Sequence, residues 1–367
     1  MADPPTELAA DDVGLPRFEV GEAATGDVFA LSSHRRAREA LEFGLAIDKP
    51  GFNIFVLGED RSGRMTATLA FLHRLSVARP APSDWLYLNN FRWRHRPRPC
   101  RLPGGVGRRI RDELAALIPR LREALTHAFG TTEYQRAVQG ATQAVRAEFG
   151  QRMEALRGAA NAHGLEIAST PQGPAISLKE DAGGIPDADR HAMAQRLAAE
   201  LAELHRWANQ QQVTLSASLI DLNRAVAEHA VADLLDEFTQ IFNHYSGLAR
   251  WLVEMRGDVL EHYESFLPRK DEAGEGMEPP ERRYAVNLLV DNGDLSHGTV
   301  LVEANPTYEN LFGKIEYRQT PTGMTTDFTL IRAGSLHRAN GGLLVLRAEA
   351  LAGQPVVWQH LKAALRD

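Results

Sequence analysis

Cysteine is almost missing from this chain: Cys100 is the only one in 367 residues. A lone thiol excludes intramolecular disulfides and any multi-cysteine zinc site. Lysine is nearly as scarce, with Lys49, Lys179, Lys270, Lys314 and Lys362 alone among the 41 basic residues. Chemistry that needs a lysine at a fixed place is therefore confined to five positions. No apolar run approaches the roughly 18 residues of a membrane span, and the opening MADPPTELAADD is acidic and polar, unlike a signal peptide. Against the basic residues stand 48 acidic ones, for a net charge of −7, which excludes a polybasic, histone-like chain. A hydrophobic content of 44% excludes wholesale disorder. The expectation is a cytoplasmic protein of two or three domains with no membrane partner.

The pattern along the chain changes character twice. Residues 1–16, rich in Pro, Ala and Asp, read as a disordered tail. Residues 33–46 read as an amphipathic helix, with Ala37, Leu41 and Leu45 at four-residue steps and Ser32 or Ser33 as cap. The apolar run NIFVL (53–57) then reads as a strand, 58–63 as a glycine-bounded loop, 65–77 as a helix and DWLYL (84–88) as a second strand. Strand, loop, helix, strand is the opening of a parallel α/β sheet.

From 106 to about 266 the pattern is helical. Met193, Leu197, Leu201, Leu204, Ala208, Leu215, Leu219, Leu222 and Val226 form a heptad seam with one skipped turn at Gln211. Val138, Thr142, Val145, Phe149, Met153 and Leu156 form a matching one. Between the seams, GLEIASTPQGPAISL (164–178) alternates around Thr170-Pro171-Gln172-Gly173 as a β-hairpin does. These signals predict a long antiparallel helical, coiled-coil hairpin tipped by a β-hairpin. A linker rich in charge, Gly and Pro (268–280) follows, and strand patterns return at 284–292, 299–302, 313–319, 324–331 and 342–346. Sheet signals on both sides of a helical block predict one α/β module, 17–105 and 281–367, interrupted by a helical insertion at 106–267.

The segment Gly58-Glu59-Asp60-Arg61-Ser62-Gly63-Arg64-Met65 has the frame of a phosphate-binding P-loop, G-x-x-x-x-G-K-[ST]. In that frame the backbone N–H groups cradle phosphate, the lysine reaches the outer phosphates and the hydroxyl ligates Mg²⁺. Here Arg64 stands at the lysine position and Met65 at the hydroxyl position, with Thr66 one residue out of register. Glu59 and Asp60 add negative charge where an anion would sit. The candidate cofactor-binding residues are Gly58, Ser62, Gly63, Arg64 and Thr66. No cofactor is expected there; residual ATP or phosphate binding is the alternative, and a structural turn is the favoured reading. An acid that would serve Mg²⁺ belongs at the end of a later apolar strand, but after Gly342–Leu346 that place holds Arg347, with Glu349 two residues further on.

Residues 85–111 carry eight arginines and no acid, interleaved with Phe91, Trp93 and His95. A solvated loop or subunit-contact surface is the favoured reading of this segment; Arg94, Arg96 and Arg98 are the candidate partner-binding residues if it meets an acidic protein or a neighbouring subunit. Nucleic acid is the less favoured partner. The thirteen histidines include no metal-ligand spacing, so no metal is expected.

Four blocks carry a family resemblance: EALEFGLAIDKPGFNIFVLG (39–58), NPTYENLFGKIEY (305–317), TDFTLIRAGSLHRANGGLLVL (326–346) and WQHLKAALR (358–366). They resemble the Lon-like protease family, in the branch whose N-terminal part is an AAA+-like module with a long helical insertion. The resemblance implies an AAA+-like, P-loop-type parallel sheet, hexameric rings of identical chains, and unfolded or damaged proteins as substrates met by the helical hairpin. It also implies a Ser–Lys peptidase domain, whose signature none of the five lysines matches, so the chain is expected to stop before it. The defects at Arg64, Met65 and Arg347 bring the sequence nearer the LonC type, whose ATP site is degraded. Tyr308 and Phe312, in the NPTYENLFG block, are then candidates to line a substrate path, and His337 sits in a block that reads as a tight turn. The competing expectation is a stand-alone interaction scaffold using the helical hairpin or the arginine-rich segment.

Overall fold

A computed structural model of the chain describes residues 34–47, 49, 51–59, 62–170, 173–178, 187–268, 278–321 and 323–366. The expected tail at 1–16, the serine caps of the first helix, most of the linker and the Pro171-Gln172 turn lie outside the described residues. In chain order the elements are α1 (Arg35–Ala46), α2 (Arg64–Ser76), β1 (Asp84–Leu88), β2 (Arg98–Leu102), α3 (Val106–Gly130), α4 (Thr132–Ala162), β3 (Leu165–Thr170) and β4 (Gly173–Leu178). Then come α5 (Asp187–Phe242), α6 (Ser246–Glu261), α7 (Pro280–Arg283), β5 (Val286–Val290), β6 (Val300–Glu303), α8 (Tyr308–Phe312), β7 (Lys314–Ile315), β8 (Arg318–Thr320), β9 (Gly323–Thr325), β10 (Ile331–Arg332), α9 (Ser335–Arg338), β11 (Leu343–Leu346), α10 (Ala348–Ala352) and α11 (Pro355–Ala364). They form two compact units: Met1–Ser83 with Asp294–Ile315 and Arg332–Asp367, and Asp84–Gly293 with Glu316–Ile331.

The second unit is the larger. Its sheet has the order β2-β1-β5, antiparallel throughout. β1 therefore does not open a parallel sheet as its position after α2 suggested. Its neighbours are β2, which arises within the arginine-rich segment and had no strand-like pattern, and β5 from nearly two hundred residues on. Leu86 and Leu88 of β1 and Cys100 and Leu102 of β2 face a core shared with Ile110, Leu114, Leu117, Ile118, Leu121 and Leu125 of α3. Those α3 positions recur every three or four residues, which is why that face is buried. Phe238 and Phe242 of α5 and Leu248, Trp251, Leu252 and Met255 of α6 complete the core. Asp84 fixes where α3 begins: it is fully buried and accepts hydrogen bonds from the backbone N–H of Gly107 at 2.8 Å and of Asn292 at 2.7 Å. A carboxylate at a helix N-terminus satisfies donors that have no partner within the helix.

The two seams meet in part: their ends nearest the β-hairpin are packed together, while Val138, Val145, Leu215, Leu219 and Leu222 are only half-buried. Phe149, Met153, Leu156 and Ala160 of α4 pack on Met193, Leu197, Leu201, Leu204 and Trp207 of α5. The start of α4 meets the later part of α5, where Tyr134 Oη donates to Asn223 Oδ1 at 2.8 Å. Late residues of one helix thus meet early residues of the other, so the pair is antiparallel. β3 and β4 form the hairpin between them, from Leu165 opposite Leu178 to Thr170 opposite Gly173.

The first unit contains the parallel pairing that the sequence led us to expect, in a smaller form. β11 lies beside β6, with Leu343 to Leu346 opposite Val300 to Glu303. Leu343 and Val345 pack toward Leu41, Leu45, Phe71 and Leu72 of α1 and α2. Leu344 and Leu346 pack toward Leu311, Leu351, Val357 and Leu361. This alternation is the period-2 signature of a strand covered on both faces. NIFVL, however, forms no strand. Residues 52–59 carry no ladder, and Phe55 and Leu57 are 67% and 81% exposed. A high-propensity run without a hydrogen-bonding neighbour does not make a strand. The expected strand at 324–331 is likewise interrupted, because Asp327 accepts from Thr329 N–H at 2.8 Å and turns the chain into one turn of 3₁₀ helix before β10.

Candidate functional site

The loop that precedes α2 has the turn a P-loop needs. Gly63 stands at φ 78°, in the left-handed region that favours glycine, and caps α2. Its carbonyl receives Ala67 N–H at 2.9 Å, closing the first helical turn. Ser62 Oγ, on the exposed side, donates to Glu59 O at 2.7 Å. Arg64 folds back over it: Nη1 donates to Gly58 O, and Nη2 pairs with Glu349 Oε1 at 3.0 Å. A Cβ built on Gly58 would lie 3.3 Å from Arg64 Cδ and 3.6 Å from Ser62 Oγ. The arginine stem therefore lies beside Gly58. Thr66 is exposed on the outer face of α2.

Gly58, Ser62, Gly63 and Arg64 are thus brought together, and Thr66 is not. Glu349, two residues beyond Arg347 in the sequence, is the partner of the residue in the lysine position. Arg64 and Glu349 are 285 positions apart, and nothing local links them.

Tyr308 and Phe312 do come together. Their rings lie 4.9 Å apart on α8, and His360 of α11 sits edge-on to Tyr308 at 5.2 Å and to Phe312 at 6.2 Å. His360 escaped notice in the sequence, although it falls in a block that carries the resemblance. Tyr308 is 47% and Trp358 44% exposed, so this aromatic group reaches the surface of its unit. Below it the backbone is locked. A Cβ on Gly334 would lie 2.2 Å from Leu311 O, and one on Gly313, at φ 79°, would lie 2.1 Å from Arg332 O. The Oγ of buried Ser335 lies within hydrogen-bonding distance of Glu303 Oε2 and Asn310 O, and its single proton goes to one of them, tying the end of β6 to the same crossing. His337 Nδ1 accepts the Gly334 N–H at 3.2 Å, and burial holds its imidazole below the ordinary range.

The candidate arginines divide. Arg94 pairs with Glu278 and Arg98 with Glu254 at 2.7 Å, whereas Arg96 is exposed. Two of these arginines are thus paired with acids far away in sequence. Burial pushes the Cys100 thiol up to about 11, so it is a packed apolar group and not a nucleophile. No group of three or more metal-ligating side chains occurs among the described residues, and no helix there is long and apolar enough to cross a membrane.

The unit thus holds a parallel strand pair and a glycine turn before a helix, and the acid beyond the second strand, Glu349, is paired with Arg64. The family profile described as the LonB-like AAA domain matches residues 296–367, which run from β6 through the glycine crossing to α11. That match supports a relationship to Lon-related AAA+ proteins. No curated protein is significantly similar to the chain.

Proposed function

We propose that this chain is the AAA+-like, substrate-handling and ring-forming part of a Lon-type Ser–Lys protease of the LonC kind, in which nucleotide hydrolysis has been lost. The observation that carries this reading is the Arg64 side chain. A P-loop works because its cation faces outward to the outer phosphates while the backbone N–H groups stay open. Here the cation turns inward to Gly58 O and sideways to Glu349, so the place of the phosphate is spanned by a tethered guanidinium. Guanidinium is planar and forked, and its two bonded nitrogens cannot both be kept if it swings toward a ligand. Met65 offers no oxygen to Mg²⁺. Arg347, where a metal-holding acid would stand, adds a positive charge after β11.

On this reading α4, α5 and their hairpin meet unfolded protein, and the aromatic group around Tyr308 and Phe312 lines its path. Peptide-bond hydrolysis belongs to a Ser–Lys dyad in a partner domain. Substrate admission is then driven by binding and not by ATP. Calorimetric titration with Mg·ATP, paired with a phosphate-release assay, tests the reading. We expect no saturable binding up to millimolar nucleotide and no turnover; micromolar affinity with turnover refutes it.

A further inference from the structure

The proposed function leaves the loop between β1 and β2 without a role, and that loop is built with unusual care. Asn90 closes it from within. Its Oδ1 accepts the backbone N–H of Arg92 at 3.2 Å and of Trp93 at 3.1 Å, and its Nδ2 donates to Arg96 O at 2.8 Å. Trp93 O accepts Arg96 N–H at 2.9 Å, which folds the loop back on itself. The base is anchored in the core. Phe91 stacks on Trp251 at 5.8 Å and lies beneath Arg283, Trp251 Nε1 donates to Asn89 O at 3.0 Å, and Asn89 Nδ2 donates to Arg283 O at 2.9 Å.

What this scaffold presents is Trp93, 56% exposed and edge-on to His95 with ring centroids 6.2 Å apart. Arg92 and Arg96 flank it, both exposed, and among the described residues neither is ion-paired. The other two arginines of the loop region, Arg94 and Arg98, are held by Glu278 and Glu254. A large aromatic between open guanidinium groups on a preorganised backbone is the composition of a protein-binding hot spot, where little entropy is lost on docking. We infer that the loop Asn90–Pro97 is a docking element for an acidic protein segment that carries an apolar residue, with Trp93 as the anchor and Arg92 and Arg96 pairing its carboxylates.

Charge complementarity selects that occupant. An exposed tryptophan is covered by an apolar side chain, and two guanidinium forks beside it are matched by carboxylates. Nucleic acid is disfavoured because affinity for it comes from many phosphate contacts, and the neutralised Arg94 and Arg98 leave two.

The test uses the whole chain and three labelled probes in fluorescence anisotropy: a twelve-residue peptide of glutamates interspersed with leucine and phenylalanine, the same peptide with lysine for glutamate, and a 20-nucleotide oligo-dT. We expect the acidic peptide alone to bind and to protect tryptophan from acrylamide quenching. Trp93→Ala and the Arg92→Ala, Arg96→Ala pair should each weaken it at least tenfold without changing circular dichroism or the melting temperature. Arg206→Ala, at an exposed position on α5, should leave binding unchanged. No binding of the acidic peptide at millimolar concentration, equal binding of the lysine peptide, or variants that bind like the parent would overturn the inference. Preferential binding of oligo-dT would overturn it in favour of nucleic acid.

Discussion

Replacing Asp258 with alanine removes the centre of a buried ion pair and should be among the most damaging single changes in the Asp84–Gly293 unit. Its carboxylate accepts Arg283 Nε at 2.6 Å, Arg283 Nη2, and Tyr284 Oη at 2.7 Å. The two charged side chains are only 6% and 12% exposed. The bond to Asp258 raises the Arg283 pKa above its ordinary value, and burial followed by the nearby carboxylate raises that of Tyr284. Without Asp258 the guanidinium stays charged, because arginine does not deprotonate in proteins, and Tyr284 keeps a neutral buried hydroxyl without its acceptor. Breaking one side of a buried pair costs about 3–5 kcal/mol, and an orphaned buried hydroxyl about 1–3 kcal/mol. Both penalties arise from one missing group and overlap, so a total of about 4–5 kcal/mol is expected. Adding Arg283→Met removes a buried charge left with Glu278, at 4.0 Å, as its acidic partner and should recover about 2 kcal/mol. Urea unfolding followed by tryptophan fluorescence measures the effect, since Trp251 is fully buried beside this cluster. The transition of this unit must be separated from that of the other, because a chain of two units need not unfold in one step. A loss below about 1 kcal/mol, or a double variant less stable than the single one, would refute the reasoning.

Two further outcomes follow from the other unit. Gly334→Ala should destabilise it by about 3 kcal/mol, because the new Cβ would meet two backbone atoms, Leu311 O at 2.2 Å and Gly313 N at 2.4 Å, that cannot rotate aside. Gly353→Ala, whose Cβ finds its nearest neighbour at 3.9 Å, is the calorimetric control and should change stability by less than about 0.5 kcal/mol. His337 sets a pH dependence. Its folded pKa is depressed by burial, so the unfolded chain binds the extra proton; the stability it contributes is full above about pH 6.5 and is lost as pH falls below that value. Melting between pH 7.5 and 5.5 should show a steeper loss for the parent than for His337→Asn, and parallel curves would refute the assignment.

Much of the helical architecture was legible because a helix is a local pattern. The seams of α4 and α5 were read from three- and four-residue steps, and Leu156, Leu197, Leu201 and Leu204 are buried together, though Leu215, Leu219 and Leu222 are only half-buried. The β3–β4 hairpin was legible for a similar reason, its alternation meeting a short turn. Strands fared worse. β2 was hidden in an arginine-rich stretch with no apolar alternation, and β1 gave no hint that both its neighbours would be antiparallel. NIFVL had every propensity for a strand and none of the partners. For the candidate site, the glycine turn and the wrong residue at the lysine position stood in plain view. The Arg64–Glu349 pair, His360 between two aromatics, and the cancellation of Arg94 and Arg98 did not.

Composition and spacing alone determined that this chain forms no intramolecular disulfide, that its middle is helical, and that its P-loop frame lacks both a lysine and a hydroxyl. Each is a statement about residue types or about neighbours within a turn or two of chain. Which strands pair, and which acid answers which arginine, was decided only in three dimensions. Glu349 and Glu254 meet their arginines across 285 and 156 positions, and Asp84 reaches Asn292 across 208. Propensity falls silent at such separations, because packing of the core alone brings those backbones within hydrogen-bonding distance.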